Sequence, residues 1–290
     1  MTGVATTRAQ MMAARKRGAD VAVVMTMGAL HDGHAELMVR ARELIGPNGH
    51  LVTTVFVNPT QFGAGEDFDR YPRTLEADVA LCERVGVDVV FAPSVAEVYG
   101  SSHAGRSSSR ITVDPGPLGD VLEGASRPGH FRGVLTVVAT LLHLTEPDIA
   151  CFGEKDYQQL TLIRAMAEDL RFGVGIVGVE TVRESDGLAM SSRNRYLSPA
   201  ERQVAEVVPR ALRAAVLAAP AGPQVAREAA LEILRGEPGA VVDYVEVTDP
   251  MLGPPGTGPG RILAAVQVGS TRLIDNMACR FDGPNGMDAT

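Results

Sequence analysis

The sequence predicts an α/β protein with a doubly wound parallel sheet, followed by a smaller α+β domain. Through residues 1–181, unbroken apolar runs of strand length alternate with segments of helix length, which is typical of parallel strands covered on both faces. After residue 182 the order changes to helices followed by hairpin strands. We therefore expect two domains, one over 1–181 and one over 182–290.

The predicted elements of the first domain alternate in type, and each strand is an apolar run. In chain order they are a helix at 5–17, a strand at 21–27, a helix at 34–45, a strand at 51–57, a helix at 74–85, a strand at 87–92, a buried helix at 133–145, a strand at 148–152, a helix at 157–170 and a strand at 174–182. Gly18 ends the first helix, and Thr74 suits the N-cap of the third. This order predicts a parallel sheet.

Residues 99–130 interrupt the alternation. Gly, Ser and Pro dominate much of this segment, and only 110–113 has the pattern of a strand. Connections of this length inside a compact domain are usually functional or disordered. We expect the segment to act as a lid that excludes water from a reactive intermediate.

The second domain begins with helices. A capping-box pattern at Ser198 starts a helix that extends to residue 218, and another helix ends near residue 234. Strands are predicted at 241–248, 261–268 and 271–276. The Gly-Ser pair at 269–270 indicates a tight hairpin between the last two strands.

Composition limits the class of partner. The 290 residues carry a formal net charge of −8, which argues against nucleic acid because phosphate backbones need a basic face. A small anionic substrate needs only a local basic pocket. No apolar run has the length of a membrane span, and we expect no signal peptide and no membrane partner.

The cysteines do not form a metal-ligand pattern. Cys82, Cys151 and Cys279 are far apart in the sequence, and no CxxC motif occurs. We therefore expect reduced thiols, no zinc site and a cytoplasmic location.

Polar residues follow the predicted strands, at the edge where open parallel sheets bind ligands. The strand at 21–27 leads through Gly28 to His31 and His34 at a helix start, where unpaired N–H groups attract anions. The strand at 51–57 leads to Asn58 and Gln61. Their neutral amides suit hydroxyls and carboxylates. The sequence thus predicts a phosphate-binding site beside a polar substrate pocket.

Two later segments contain cations suited to phosphate. Lys155 is a point charge, and Asp156 can hold a metal ion together with phosphate oxygens. Ser191, Ser192 and Arg193 place two hydroxyls beside a guanidinium. Taken singly, the first segment is more often a solvated turn and the second a helix cap. Their position after predicted strands favours a shared site.

Together these segments resemble the pantothenate synthetase (pantoate–β-alanine ligase) family of the nucleotidyltransferase superfamily. The similarity starts at 26–34, which contains the His-x-Gly-His signature, and continues in order over nearly the whole chain, at 56–62, 71–73, 123–133, 152–160 and 182–196. The resemblance implies a Rossmann-like domain, a smaller C-terminal domain closing over the active site, and a homodimer. It also implies ATP-dependent condensation of pantoate with β-alanine through a pantoyl adenylate, with release of AMP and pyrophosphate and with Mg²⁺ as cofactor.

The resemblance implies residue roles position by position. His34 is the implied proton donor, and the other implied catalytic residues are His31, Lys155, Ser191, Ser192 and Arg193. The implied ATP-binding residues are Thr26, Met27, Gly28, Ala29, Leu30, His31, Asp32, Gly33, His34, Gly153, Glu154, Lys155, Asp156, Val182, Met190, Ser191, Ser192 and Arg193. Those implied for pantoate and β-alanine are Gln61, Gln159, Asn58 and Arg127. Asp156 and Asp78 are candidate magnesium ligands.

The sequence also departs from the family pattern. Met25 stands where the family usually has proline, and residues 76–78 are less acidic than in some relatives. Two other functions stay open at this point: a nucleotidyltransferase that leaves AMP on a phosphorylated acceptor, and a non-catalytic dimeric nucleotide-binding regulator. A P-loop enzyme is excluded, because neither G-x-x-x-x-G-K-[ST] nor G-x-G-x-x-G occurs.

Overall fold

A computed structural model describes residues 2–63, 68–100 and 111–282. It divides into two compact units, which are described separately. Unit 1 comprises Met1–Glu154 and Gln158–Glu180, and unit 2 comprises Lys155–Tyr157 and Thr181–Thr290. Lys155–Tyr157 therefore belongs to unit 2, whereas the sequence analysis placed it in the first domain.

Unit 1 is built on a six-stranded parallel sheet in the order β1-β4-β3-β2-β5-β6. Its strands are β1 Gly3–Ala5, β2 Val21–Thr26, β3 His50–Val55, β4 Val89–Phe91, β5 Ile149–Gly153 and β6 Gly175–Val179. The chain moves outward from β2 to β4 and then returns to β5 on the other side of β2. The predicted doubly wound fold is confirmed, and its switch point, where such sheets bind ligands, lies between β2 and β5.

Helices cover both faces of this sheet. They are α1 Arg8–Ala14, α2 Asp32–Ile45, α3 Leu75–Arg84, α4 Val95–Tyr99, α5 Glu123–Ser126, α6 His130–Thr145 and α7 Tyr157–Asp169, of which the first residue belongs to unit 2. Alternate residues of β2 enter two apolar clusters, since Val23 lies in the same cluster as Leu135 of α6 whereas Val24 lies in that of Met38 of α2. The central strand is thus buried on both faces, which explains its unbroken apolar run.

Two predictions for unit 1 were wrong. The strand Gly3–Ala5 was not expected, because two of its three residues are exposed and it has no apolar run. Residues 111–113 do not form the predicted strand, although Val113 N donates a hydrogen bond to Thr136 Oγ1 at 3.0 Å. Arg110 and the rest of 101–110, including much of the predicted lid, lie outside the described residues.

Unit 2, in its described part, contains three α-helices and an antiparallel sheet in the order β7-β8-β9. These elements are α8 Pro199–Ala205, α9 Val207–Ala218, α10 Pro223–Arg235, β7 Ala240–Thr248, β8 Gly258–Val268 and β9 Thr271–Phe281. The single helix predicted at 198–218 is two helices with a break at Glu206. One face of the sheet packs on the helices, with Ile262, Val266 and Leu273 in the same cluster as Leu212 and Leu234.

No helix among residues 2–63, 68–100 and 111–282 is long and apolar enough to cross a membrane. The cysteines are not paired, and burial raises the pKa of Cys82, Cys151 and Cys279 to about 11 each. Protonated thiols are poor nucleophiles, so none of them suits covalent catalysis.

Candidate active site

Two histidines cap the helix that follows β2. His31 is the N-cap of α2, and its Nδ1 accepts a hydrogen bond from Gly33 N at 3.2 Å. His34 Nδ1 accepts one from His31 N at 3.3 Å, which completes a capping box made of imidazoles. Because each Nδ1 accepts from a backbone N–H, each neutral ring carries its proton on Nε2. Both rings can therefore donate from Nε2 to an anion at the helix N-terminus.

The turn before this histidine pair is fixed by a buried carboxylate. Asp78 is 2% exposed and accepts hydrogen bonds from Ala29 N at 3.2 Å, Leu30 N at 2.8 Å and Thr74 Oγ1 at 3.3 Å. Gly28 has φ +83° and Ala29 has φ +52°, both in the left-handed region. A Cβ on Gly28 would lie 2.9 Å from Asp78 Oδ2. The structure thus gives Asp78, a candidate magnesium ligand, a different role as the anchor of this turn.

The exit of β2 is held by a threonine hydroxyl. Thr26 Oγ1 donates to Thr54 O at 2.7 Å and accepts from Gly28 N at 3.1 Å. The turn at 27–30 is therefore attached both to β3 and to α3.

Asn58 is buried behind the end of β3. It is 1% exposed, and two backbone groups fix its amide: Thr60 N donates to Oδ1 at 3.2 Å, and Nδ2 donates to Gly133 O at 3.3 Å. The Tyr99 hydroxyl also donates to Oδ1, at 2.7 Å. Burial raises the pKa of Tyr99 to about 12, so this hydroxyl stays protonated.

This orientation determines how Gln61 is presented. Asn58 Nδ2 donates to Gln61 Oε1 at 3.1 Å, and Gln61 Nε2 lies 3.3 Å from Met27 Sδ, to which it donates. Gln61 Nε2 therefore has one further N–H to donate to a ligand on that side. Asn58 therefore orients Gln61, and its place in the substrate site stays a prediction.

Arg127 reaches the same region through a histidine. His130 Nδ1 lies 2.9 Å from Gln61 O, which can only accept, so the ring proton is on Nδ1. His130 Nε2 then accepts from Arg127 Nη1 at 3.0 Å. Gln61 and Arg127 are thus joined by one imidazole.

The segment after β5 contains the predicted lysine. Gly153 ends β5 and Glu154 follows it in unit 1, whereas Lys155 and Asp156 belong to unit 2. The Lys155 side chain is 19% exposed and its Nζ lies 3.9 Å from Asp156 Oδ1. The Asp156 side chain is 51% exposed.

The two glutamines at the start of α7 differ. Gln158 is buried, donates from Nε2 to Leu118 O and Val121 O at 2.8 Å each, and accepts from Glu123 N at 3.0 Å. It therefore organises the loop before α5. Gln159 is half-buried.

In unit 2 the predicted phosphate segment folds as a hairpin followed by a short helical turn. Met190 N donates to Val182 O at 2.9 Å and closes the hairpin. Ser191 caps the turn, because its Oγ accepts from Arg193 N at 3.2 Å. Ser192 and Arg193 begin the turn and are half-buried.

A charged cluster supports this hairpin from behind. Arg202 donates to Glu184 Oε2 at 2.6 Å and to Asp186 Oδ2 at 2.7 Å. Glu184 Oε1 also accepts from Asn194 Nδ2 at 2.6 Å. The hydrogen bond with Glu184 raises the pKa of Arg202 above its usual value.

The predicted site residues are therefore found in two sets. Residues 26–34, together with Asn58, Gln61 and Arg127, form a connected group in unit 1. Lys155, Asp156 and the segment 182–193 lie in unit 2. Sequence analysis missed the supporting contacts of Tyr99 and Arg202, for which no local pattern exists. In the described part of the chain, no group of three or more His, Cys, Asp or Glu side chains is placed to hold a metal ion.

Comparison with known proteins identifies the family of the chain. The family model described as Pantoate-beta-alanine ligase matches residues 1–278. A pantothenate synthetase from a Nocardioides species is 58% identical over 285 residues, which is 94% of this chain and 84% of that protein.

Solved structures show the same similarity. The pantothenate synthetase from Thermus thermophilus has a TM-score of 0.86 and 48% identity, with 95% of this chain and 99% of that chain covered. The pantoate-beta-alanine ligase from Francisella tularensis, complexed with beta-gamma ATP and beta-alanine, has a TM-score of 0.77 and 31% identity, with 96% and 97% covered. The chain belongs to the pantoate–β-alanine ligase family.

Proposed function

We propose that this chain catalyses the ATP-dependent condensation of pantoate with β-alanine, producing pantothenate, AMP and pyrophosphate. The observation that carries the proposal is the imidazole capping box at the start of α2, directly after β2, in which both Nδ1 atoms accept from backbone N–H groups. Family membership supports the same reaction. The Francisella ligase was solved with beta-gamma ATP and beta-alanine bound, which supports a nucleotide and an amine as substrates here.

The reaction divides into two displacements. A pantoate carboxylate oxygen attacks the α-phosphorus of ATP, and the bond to the pyrophosphate oxygen breaks. The amine of β-alanine then attacks the acyl carbon of pantoyl adenylate, loses a proton and releases AMP. Neither step needs a protein nucleophile, so catalysis rests on positioning and on stabilising charge at the phosphates.

We assign the phosphates to the imidazole pair and the cations. His34 donates a hydrogen bond from Nε2–H to a phosphate oxygen, with His31 beside it, because both Nδ1 atoms already accept from backbone. Lys155, Ser191, Ser192 and Arg193 stabilise the charge that develops on the leaving pyrophosphate. The remaining nucleotide contacts are assigned to 26–30, Asp32, Gly33, Gly153, Glu154, Asp156, Val182 and Met190.

Pantoate is assigned to Gln61 and Gln159. Gln61 presents the second N–H of its Nε2, which matches a carboxylate or hydroxyl oxygen of pantoate. Asn58 and Arg127 support Gln61. Asn58 fixes the Gln61 side-chain amide, and Arg127 is linked to the Gln61 backbone carbonyl through His130.

Mg²⁺ is the proposed cofactor, and the residues present fit it in part. Magnesium is usually held by one or two carboxylates together with substrate phosphates. The half-exposed Asp156 carboxylate suits that role, whereas Asp78 does not, since its oxygens accept backbone N–H groups. When bound, the ion neutralises phosphate charge.

We also propose a cytoplasmic homodimer. The unpaired cysteines support a reducing compartment, and the dimer follows the family resemblance. Size-exclusion chromatography with light scattering tests the assembly, and a monomeric mass would contradict it.

The reaction itself is tested by incubating the protein with ATP, Mg²⁺, pantoate and β-alanine and identifying the products by mass. AMP, pyrophosphate and pantothenate are expected. ADP would indicate a kinase-type mechanism, AMP on a phosphorylated acceptor would indicate a nucleotidyltransferase, and ATP binding without turnover would indicate a regulator.

The role of Lys155 is tested by Lys155→Met, which keeps the side-chain length and removes the charge. We expect pantoate-dependent pyrophosphate release to fall about 100- to 1,000-fold. Arg235→Ala removes an exposed cation from α10 and serves as the control. Near-normal pyrophosphate release by Lys155→Met would contradict the assignment.

A further inference from the structure

Two adjacent buried polar residues on the last strand of unit 2 contact both of its candidate nucleotide segments. Asp275 and Asn276 are each 4% exposed and lie in the middle of β9. Neighbouring residues of a strand point to opposite faces of the sheet. The two side chains therefore lie on opposite faces of the sheet, in different environments.

Asn276 holds the segment that contains Lys155. Its Nδ2 donates to Lys155 O at 2.9 Å. In the β8–β9 pairing, Asn276 is opposite Leu263, and the neighbouring residue on that face of β8, Arg261, places its guanidinium 3.7 Å from the centre of the Tyr157 ring. One face of the sheet thus contacts both the lysine and the residue two positions after it.

Asp275 holds the hairpin that leads to the serine–arginine turn. Its carboxylate makes a bidentate pair with Arg183, at 2.7 Å from Nη1 and 3.0 Å from Nη2. Arg183 Nη1 also donates to Gly187 O at 3.0 Å, so the guanidinium spans the hairpin. Arg183 directly follows Val182, which we assign to the nucleotide.

We propose that Asp275 and Asn276 are positioning residues. They fix Lys155 relative to the 182–193 segment for transfer of the adenylyl group. Two loops that are far apart in the sequence are attached to consecutive residues of one rigid strand. Displacement of a charged group by about 1 Å can cost about 100-fold in rate, so such a registration bears on the chemical step. The proposal rests on the proposed function of these loops.

Burial of these two polar side chains does little for the stability of the unit. A buried Arg–Asp pair and a buried amide stabilise a fold less than apolar residues of similar size, because desolvation offsets the attraction. Elsewhere on its Asp275-bearing face, β9 carries Leu273 and Phe281, which join the apolar cluster of the unit. Polar residues at 275 and 276 are therefore explained better by their effect on the positions of the two loops than by their effect on stability.

The test measures the first half-reaction alone, as pantoate-dependent exchange of labelled pyrophosphate into ATP, for the full chain. We expect Asn276→Ala and Asp275→Asn to lower the exchange rate constant about tenfold or more. The kcat/KM for β-alanine in the complete reaction should stay within about twofold, since it depends only on the steps that follow formation of the adenylate. Asp243→Asn is the control, because it breaks the exposed Asp243–Arg272 pair of the same sheet.

The outcomes separate the two proposals. Absence of exchange in the unmutated protein would contradict the proposed function. Normal exchange there, together with normal exchange per folded molecule in Asn276→Ala and Asp275→Asn, would overturn the positioning role even if both variants melt at lower temperature. If only Asp275→Asn fails to fold, Asn276→Ala decides. Failure of both to fold would assign the pair to stability alone and overturn the proposal.

Discussion

The histidine turn of unit 1 and the serine–arginine hairpin of unit 2 are fixed in different ways. In the first, one carboxylate accepts both backbone N–H groups at 29–30, whereas the Thr26 hydroxyl accepts only from Gly28 N. The second is supported twice, because Glu184 and Asp186 both bind Arg202. Loss of Asp78 removes the acceptor of both N–H groups at 29–30, whereas loss of either Glu184 or Asp186 leaves Arg202 with the other carboxylate. We therefore expect the two segments to differ in their sensitivity to mutation.

The largest effect is expected from Asp78→Asn. One oxygen becomes an NH₂ group that faces a backbone N–H, and an unsatisfied buried donor costs about 1–3 kcal/mol. The turn should shift, and the rate of pyrophosphate exchange should fall about 100-fold. Exchange assays and thermal melting measure the two consequences.

Glu76→Gln is the matched control for that variant. Glu76 lies on the same helix, α3, but is exposed. Its removal should leave exchange within about twofold of normal, as is usual for surface substitutions. Equal losses in both variants would mean that the charge of α3, and not the anchoring of the turn, affects the reaction.

A second comparison concerns the orientation of the two linked side-chain amides, Asn58 and Gln61, at the proposed pantoate site. Asn58→Asp places an oxygen against Gln61 and Gly133 O, so Gln61 should rotate and present an acceptor to the substrate. We expect kcat/KM for pantoate to fall about 100-fold through the unpaired groups. Steady-state kinetics with varied pantoate provides the measurement.

Tyr99→Phe removes a hydrogen bond to the same Asn58 oxygen without changing its orientation. Thr60 N and Gly133 O still fix that amide, so kcat/KM for pantoate should fall less than about fivefold. If Tyr99→Phe lowers kcat/KM for pantoate as much as Asn58→Asp does, the hydrogen bonds around Asn58 do not act by orienting the Gln61 amide.

A smaller effect is expected in unit 2. Glu184→Gln weakens one of the two bonds to Arg202 and leaves Asp186 in place. Partly exposed ion pairs contribute about 0–1 kcal/mol, so exchange should fall no more than about fivefold. Glu228→Gln on α10, which is exposed and pairs with Arg235, is the control. A loss as large as that of Asp78→Asn would remove the contrast between the two segments.

The smallest effect on activity is expected at His50, where stability changes without any change at the site. Burial lowers the pKa of His50 below its usual 6.5, with Asp88 opposing the shift. Within the described residues neither ring nitrogen has a hydrogen-bond partner. The unfolded chain therefore binds a proton more readily, so the free energy of unfolding should decrease as the pH falls below 6.5.

His50→Leu should flatten this dependence. Between pH 7 and 5 the Tm of the unmutated protein should drop by about 2–4 °C more than that of the variant. Asp88 does not account for a change in this range, because its burial is outweighed by hydrogen bonds from Lys16, Leu51 N and Arg42, which hold its pKa below 3.8. Parallel curves for the two proteins would show that His50 is not the titrating group.

The sheet could be predicted because its central strands are apolar on both faces, whereas the contacts that fix the site could not. Periodicity reports the burial of neighbours in sequence. Asp78 reaches its turn across 49 residues, Tyr99 reaches Asn58 across 41, and Asp275 reaches Arg183 across 92. No local pattern encodes such pairings. Open parallel sheets bind ligands at the carboxyl ends of their strands, and this rule did identify the histidine pair. The role of His31 as an N-cap could not be predicted, because N-caps are usually Ser, Thr, Asn or Asp.

The assignment of Lys155–Tyr157 to unit 2 makes that unit discontinuous in sequence. A fragment excised at residue 181 would leave behind an aromatic ring that is 6% exposed in the intact chain and that stacks against Arg261. Its small sheet would also lose the carbonyl that receives the Asn276 amide. The part after residue 181 is then not a self-sufficient module, and attempts to exchange it between relatives should transfer Lys155–Tyr157 with it.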